Sequence, residues 1–317
     1  MSWKRDPKTW IAIAVTLLLW ASAFAGIRAG MRLTPAGLPG ADGYGPGEVA
    51  LLRFGTASVV LALYALVTRM RLPDVRDLGR ISIAGLTGIT IYHVALNFGE
   101  MTVQAGAASL LIAAGPVFTA MMSSAFLGER LTVLGWLGIA VAFVGVAVIS
   151  LSQGAGVSFD PGALLILLAA VSTSVFFIVS KKPLTHYSAL EFTSYSIWAG
   201  TIPLLFFAPG LVSQFPNAAP SATLAIIYLG IFPAAIAYVL WNYALARMPA
   251  SILSSFLYLA PVLAMAIAWV WLGEFPTALT IVGGAVAIVG VVMVQTKGQA
   301  RRVATAAAEN LIEASEV

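Results

Sequence analysis

Long runs of apolar residues dominate the chain, and short stretches rich in glycine, proline or charge separate them. A helix needs about 20 mostly apolar residues to cross the roughly 30 Å hydrocarbon core of a bilayer. The runs are continuous rather than alternating, which favours helices over the strands of a membrane barrel. The pattern predicts ten transmembrane helices, at residues 9–31, 48–68, 80–99, 103–126, 132–151, 161–180, 189–211, 221–245, 249–272 and 277–295.

Composition excludes the other large classes of protein. Of the 317 residues, 60% are apolar and 9% are charged, whereas a soluble chain has about 45–50% and about 25%. High hydrophobicity with few charges also excludes a disordered chain. The sequence has no cysteine, which excludes a disulfide scaffold, a thiol nucleophile and a zinc–thiolate site. The fold class that remains is an all-α integral membrane protein.

The N-terminal segment has two interpretations. Basic residues within positions 1–8 precede an apolar run, and the small residues Ala21, Ser22 and Ala23 follow, as in a secretory signal with its cleavage site. Alternatively, the run is the first transmembrane helix. Because it continues without a break through Ile27, we interpret it as a transmembrane helix that is not removed.

Lysine and arginine residues concentrate on one predicted side of the membrane. With ten helices, 14 of the 17 fall on the side of the N-terminus, and the positive-inside rule identifies that side as cytoplasmic. We predict an inner (plasma) membrane protein whose N-terminus, 1–8, and tail, 297–317, are both cytoplasmic. Arg28, Arg32 and Arg53 fall at or near the outer side. Since the positive charges lie between apolar runs, the net charge of +4 does not indicate nucleic-acid binding.

The chain repeats itself at an offset of 145 residues. The offset aligns Leu127-Gly128-Glu129 with Leu272-Gly273-Glu274, and 12 of the 20 residues in 127–146 are identical to their counterparts. The same offset also aligns Pro116 with Pro261, Asn97 with Asn242, and Ser109 with Ser254. Because Pro, Glu and Asn are scarce in this chain, composition alone does not explain their agreement at one offset.

Each repeat contains five of the predicted helices. We predict two inverted five-helix repeats, residues 9–151 and 161–296, with residues 152–160 as a linker. Since five is an odd number, the second repeat enters the membrane from the opposite side. Inverted repeats of this kind are typical of alternating-access transporters. A channel or a structural membrane protein that arose by duplication is the alternative.

Two sequence elements suggest a family. Trp20-Ala21-Ser22-Ala23-Phe24 lies in the first predicted helix, and Leu127-Gly128-Glu129-Arg130 closes the fourth, after Pro116. With ten spans in two repeats, the chain resembles the EamA branch of the drug/metabolite transporter superfamily over about residues 9–296. The resemblance implies a secondary transporter that exports small metabolites. Because the family includes exporters of aromatic and neutral amino acids, the resemblance also implies that these amino acids are the substrates. The alternatives are a channel or facilitator for small amphipathic solutes and a carrier that takes up other metabolites.

Motifs for catalysis or cofactor binding are absent from the sequence. It has no Gly-x-x-x-x-Gly-Lys-Ser/Thr phosphate loop, no His-Glu-x-x-His zinc motif and no Gly-x-Ser-x-Gly elbow. Its two histidines, His93 and His186, are too few for a zinc site of the usual composition. We predict a protein that is not an enzyme and has no metal or cofactor. No Asp or Glu lies in the middle of a predicted span, which weighs against proton antiport through a membrane carboxylate.

Aromatic and polar residues within the spans mark a candidate substrate site, which in inverted-repeat carriers lies near the membrane midplane. Trp20 and Phe24 lie four residues apart and share a helix face, as Tyr238 and Asn242 do. Aromatic faces with a few polar groups suit a neutral amphipathic ligand. The predicted substrate-binding residues are Trp20, Phe24, Tyr92, His93, Asn97, Tyr238, Asn242 and Tyr258.

Each of these residue types has a structural alternative. His93 either contacts the substrate or bonds to a neighbouring helix, and its ordinary pKa near neutrality would also suit a proton-sensitive switch. Trp and Tyr residues near span ends form a belt at the lipid headgroups, whereas Trp20 and Tyr258 lie near the centres of their spans. Arg28 either meets a substrate carboxylate or extends to the membrane surface, and we favour the surface.

Prolines and small residues suggest mechanical roles. Pro116 and Pro261, each predicted in the middle of a helix, remove one backbone hydrogen bond and produce either a fixed kink or a hinge. The fifth and tenth helices carry Gly138-x-x-x-Ala142 and Gly283-x-x-x-Ala287, whose small residues allow close packing. We interpret these helices as a scaffold outside the substrate site, with a dimer interface as the weaker alternative. The chain is predicted to be a monomer or a weak homodimer.

Overall fold

The computed structural model describes residues 6–32, 39–103, 111–152, 161–260, 262–263 and 277–297, and these residues form helices without strands. In chain order the helices are α1 (Pro7–Met31), α2 (Pro46–Thr68), α3 (Val75–Gly99), α4 (Gly115–Phe126), α5 (Val133–Ser152), α6 (Pro161–Thr185), α7 (Ala189–Gln214), α8 (Pro220–Leu245), α9 (Ala250–Leu259) and α10 (Ala278–Lys297).

Six of these helices are long and apolar enough to cross a membrane: α1, α2, α3, α6, α7 and α8. This confirms the prediction of an all-helical membrane protein. The four other helices lie at the remaining predicted spans, and parts of the fourth and ninth spans fall outside the described residues. The total of ten crossings and the inversion of the repeats stay predictions.

Local sequence explains where the first helices begin and end. Pro7 and Pro46 occupy the first turns of α1 and α2, where the missing N–H of proline breaks no helical hydrogen bond. The carboxylate of Asp6 accepts a backbone N–H at the start of α1. Arg32 and Arg69 end the two helices in the left-handed conformation, which returns backbone N–H groups to the last helical carbonyls.

Two long helices change to π-helical geometry in their middle. The segments are Leu86–Ile91 in α3 and Gly230–Ile236 in α8, and they overlap at the 145-residue offset. Proline explains the second segment, because Pro233 has no N–H to donate and its ring disturbs the preceding turn. Irregular helical turns of this kind occur frequently at functional sites, and each of these directly precedes residues predicted to bind substrate.

Helices α5 and α10 pack against each other along their small residues. A Cβ atom added at Gly145 would lie 2.3 Å from the backbone nitrogen of Ala287, and one added at Gly290 would lie 2.3 Å from that of Ala142. The two backbones therefore touch, as small-residue spacing permits. Gly145 and Gly290 are related by the 145-residue offset, as are Ala142 and Ala287, so the contact is reciprocal.

Hydrogen bonds join the two halves of the chain where α4 ends and α9 begins. One carboxylate oxygen of Glu129 accepts the backbone N–H of Ala250 (2.9 Å), and the other accepts the backbone N–H (3.1 Å) and hydroxyl (2.7 Å) of Ser251. At the same end, Lys181 Nζ donates to the carbonyl oxygen of Leu245 (2.7 Å), the last residue of α8. An anion at a helix start and a cation at a helix end are both favourable. The repeated Gly-Glu motif thus connects the halves through Glu129.

Candidate functional site

A cavity lies among α1, α2, α3, α4, α6, α8 and α9. It has a volume of about 100 Å³. Its described lining comes from both predicted repeats and is mainly apolar and aromatic, with the guanidinium of Arg53 as its charged group. No described lining residue belongs to α5 or α10, which agrees with a scaffold role for those helices.

Four of the eight predicted substrate-binding residues line this cavity, namely Trp20, Tyr92, His93 and Tyr238. The rings of Trp20 and Tyr238 meet edge to face, with 5.6 Å between centroids. The ring of Tyr92 lies edge to face with that of His93, at 4.7 Å. These rings form a wall that suits the apolar body of a small ligand, because aromatic side chains supply large contact areas with specific geometry.

Arg53, His93, Tyr238 and Gly88 form a chain of hydrogen bonds within the cavity wall. Arginine can only donate, so its 3.5 Å contact with Nδ1 of His93 identifies Nδ1 as the acceptor. Nε2 of His93 then carries the proton and donates to the Tyr238 hydroxyl (3.1 Å), which donates to the carbonyl of Gly88 (3.0 Å). These hydrogen-bond partners therefore assign His93 as neutral, with its proton on Nε2. A second proton, on Nδ1, would point at the positively charged guanidinium of Arg53.

The π-helical segments supply the carbonyl groups that hold these rings. The indole N–H of Trp20 donates to the carbonyl of Pro233 in α8 (3.0 Å), just as the Tyr238 hydroxyl donates to that of Gly88 in α3. Gly88 and Pro233 are related by the 145-residue offset, and so are His93 and Tyr238. The two halves therefore contribute corresponding residues to one wall of the cavity.

The remaining predicted polar residues lie away from the described cavity wall. Nδ2 of Asn97 donates to the carbonyl of Pro46 (2.9 Å), and Nδ2 of Asn242 donates to the hydroxyl of Thr193 (2.8 Å). The two amides thus join α3 to α2 and α8 to α7. Tyr258 is buried outside the described lining. Helical spacing shows which residues share a face but not what that face touches, and substrate contact by these three residues stays a prediction.

Of Phe24 and the two predicted hinge prolines, the structure describes the surroundings of Pro116. The side chain of Phe24 and the whole of Pro261 lie outside the described part of the chain. Pro116 is buried in the first turn of α4 rather than in the middle of a helix, and a turn at residues 113–114 precedes it. A proline in a first turn breaks no hydrogen bond of its own helix, so the chain is interrupted before Pro116. The hinge role itself stays a prediction.

Arg53 is the residue that sequence reasoning missed. The distribution of positive charge along the sequence places it at or near the outer side of the membrane. In the structure it lies seven residues into α2, about 10 Å along the helix, and it is 3% exposed. Its guanidinium carbon lies 5.3 Å from the centroid of the Phe54 ring. The signal that identifies it is a charged residue inside an apolar helix, which is a functional candidate by default.

Comparisons with known proteins agree with these features. The model of the EamA-like transporter family matches residues 8–151 and 160–296. A Bacillus subtilis (strain 168) protein, "Uncharacterized transporter YdfC", is 41% identical over 288 residues, which cover 91% of each chain. A Streptantibioticus cattleyicolor protein, "Probable terminal-alkyne amino-acid exporter", is 42% identical over 291 residues, or 92% of this chain and 94% of that one.

The fold also has a solved counterpart. A crystal structure with 20% sequence identity superposes on the chain with a TM-score of 0.73, covering 96% of this chain and 99% of the other. At this identity the likeness describes the fold alone.

Proposed function

Because the chain belongs to the EamA-like transporter family, we propose that it exports small amphipathic metabolites, namely aromatic or neutral amino acids, across the inner membrane. The proposed mechanism is alternating access, with both termini in the cytoplasm and the substrate held between two inverted repeats, residues 9–151 and 161–296. The observation that carries this proposal is the central cavity, because residues from both halves of the chain line it.

The chemistry of the cavity supports an amino acid rather than a phosphate or a polyanion. Trp20, Tyr92, Phe177 and Tyr238 present aromatic surface to it, and Arg53 is its charged group. A ligand with an apolar body and one small polar end fits this division. The name of the Streptantibioticus cattleyicolor relative, a probable exporter of an amino acid with a terminal alkyne, agrees with such a ligand.

Three observations support the inverted repeats. The family model matches residues 8–151 and 160–296, close to the proposed repeat boundaries. The π-helical segments of α3 and α8 occur at corresponding positions. The contact between α5 and α10 is reciprocal, as expected for two repeats related by an axis in the membrane plane. Because that contact uses the small-residue faces within one chain, we propose a monomer or a weak homodimer.

Counterflow in liposomes tests the transport proposal. Purified protein in liposomes loaded with unlabelled phenylalanine should accumulate external labelled phenylalanine, with a rate that saturates with concentration. Both properties follow because a carrier changes conformation once for each substrate molecule. Linear flux without counterflow would instead indicate the alternative, a channel or facilitator. Inward accumulation by intact cells would indicate uptake rather than export.

Two variants test the site. Trp20→Ala removes aromatic contact area from the cavity wall, and His93→Ala removes the ring that links Arg53 to Tyr238. Each is expected to lower phenylalanine counterflow by about 10-fold or more, since a loss of about 1.4 kcal/mol in binding is tenfold. Trp136→Ala, in α5 and 38% exposed, is the matched control and should transport at the parental rate. Size-exclusion chromatography verifies that each variant is folded. Parental rates in both cavity variants would show that the site assignment is wrong.

A further inference from the structure

The guanidinium of Arg53 is a buried positive charge without a carboxylate partner in the described structure. It is 3% exposed, and its Nε has no hydrogen-bond partner among the described residues. Among the described residues, its Nη1 contacts the ring nitrogen of His93, at 3.5 Å. Glu100, which follows α3, attracts it over a longer distance, but no described ion pair of 4.0 Å or less includes Arg53.

A buried charge in this condition is costly to the folded protein. Removing an ion from water is unfavourable unless a partner compensates its charge, and charged residues within membrane spans mark substrate or ion pathways. The neutral tautomer of His93 adds no second positive charge. It accepts a hydrogen bond from Arg53 but does not neutralise the charge of the guanidinium. The compensating negative charge is therefore missing from the described wall of the cavity.

We propose that Arg53 binds the carboxylate of the transported substrate, so that the substrate class is a carboxylate with an apolar or aromatic body. The proposal rests on the proposed function, because it takes the cavity to be the substrate site. Nη1 is directed to His93, whereas Nε has no hydrogen-bond partner among the described residues. In arginine, Nε and Nη2 present two parallel N–H groups on one edge, which match the two oxygens of a carboxylate. Trp20 and Tyr238 then contact the apolar body.

A second arginine provides a matched control. Arg28 lies in the last turn of α1 and is exposed, and it is not among the described residues of the cavity wall. A long-range effect of positive charge near the membrane surface would depend on Arg28 as well as on Arg53. Direct binding of a carboxylate would depend on Arg53 alone.

The test compares three probes that share a benzyl group: phenylalanine, its carboxamide phenylalaninamide, and 3-phenylpropionate, which keeps the carboxylate but lacks the amine. Titration calorimetry on the purified full-length protein measures their affinities. We expect both carboxylates to bind more tightly than the amide by about 10-fold or more. Arg53→Gln should remove this preference, Arg53→Lys should retain part of it because the charge remains, and Arg28→Gln should leave it unchanged.

A structural role for Arg53 predicts a different pattern. In that case Arg53→Gln would lower the thermal stability of the ligand-free protein, whereas loss of an unpaired buried charge should leave that stability equal or higher. The wild-type comparison of acid with amide needs no variant, so it tests carboxylate recognition even if Arg53→Gln fails to fold, and Arg53→Lys then tests the assignment to Arg53. Equal affinity of the wild-type protein for acid and amide would overturn the proposal and leave amino-acid transport intact.

The remaining outcomes separate the two proposals. Binding of 3-phenylpropionate but not of phenylalanine, with dependence on Arg53, would uphold carboxylate recognition and overturn amino-acid export. Binding of none of the three probes would overturn both. A preference for carboxylates that survives in Arg53→Gln and disappears in Arg28→Gln would overturn the assignment to Arg53.

Discussion

The hydroxyl of Tyr238 connects the two halves of the chain through one oxygen atom. It accepts the Nε2 proton of His93 and donates to the carbonyl of Gly88, and all three groups are buried. Tyr238→Phe keeps the ring but leaves an N–H and a carbonyl without this partner. We expect the free energy of unfolding to fall by about 1–3 kcal/mol, measured by denaturant unfolding of the purified protein.

Tyr228 provides the control at this scale. Its hydroxyl also makes a hydrogen bond, to Ser22 (2.8 Å), but at an exposed position. Tyr228→Phe should change the free energy of unfolding by less than about 0.5 kcal/mol, as surface substitutions usually do. An equal loss of unfolding free energy in the two variants would show that the buried hydrogen bonds from Arg53 to Gly88 stabilise the protein no more than an exposed hydrogen bond does.

At the scale of elements, the contact between α5 and α10 depends on the absence of side chains. Because the Cβ of Gly145→Ala would lie 2.3 Å from the backbone nitrogen of Ala287, the helices must separate. We expect a loss of about 1–3 kcal/mol in the free energy of unfolding, the usual cost of overpacking, seen as a lower melting temperature in detergent. Phenylalanine affinity should be preserved, since neither helix contributes to the described cavity lining.

Gly55→Ala is the matched control for this substitution. Gly55 lies within α2, and a Cβ atom there would meet nothing within 4 Å. Alanine in a helix interior is favoured over glycine by about 0.5–1 kcal/mol, so this variant should be as stable as the parent or more stable. A stable Gly145→Ala protein would mean that α5 and α10 are not held in close backbone contact.

At the scale of the whole molecule, the absence of cysteine from the sequence allows the orientation to be measured with single introduced thiols. Asp42→Cys lies in the connection between α1 and α2, where the native side chain is 49% exposed. We expect a membrane-impermeant maleimide to label it in intact cells. Val317→Cys should react only after the cells are permeabilised, because the positive-inside rule directs both termini to the cytoplasm.

The converse labelling pattern would reverse the predicted orientation. Labelling of both thiols in intact cells would contradict an even number of crossings, and with it the two repeats of five helices. The cysteine-free parent, treated in the same way, controls for reaction with other proteins.

The class of the protein follows from local features of its amino-acid sequence. Whether a segment crosses a membrane depends on its own length and apolarity, because the thickness of the bilayer sets the requirement locally. For the same reason, the spacing of small residues within α5 and α10 was enough to predict that these helices pack closely. The sequence predicted that Trp20, Tyr92, His93 and Tyr238 lie together because aromatic and polar residues are conspicuous inside apolar helices, and the four residues line the cavity.

Which of these residues contact one another depends on how the helices pack. His93 and Tyr238 are 145 residues apart and share a hydrogen bond, whereas Asn97 and Asn242, with the same spacing, bond to other helices instead. The burial of Arg53 and its lack of an ion pair among the described residues could not be predicted from the sequence, because pairing and burial depend on the packing of several helices at once. Local sequence specifies each helix and its faces, but contacts between distant helices specify the cavity and its charge.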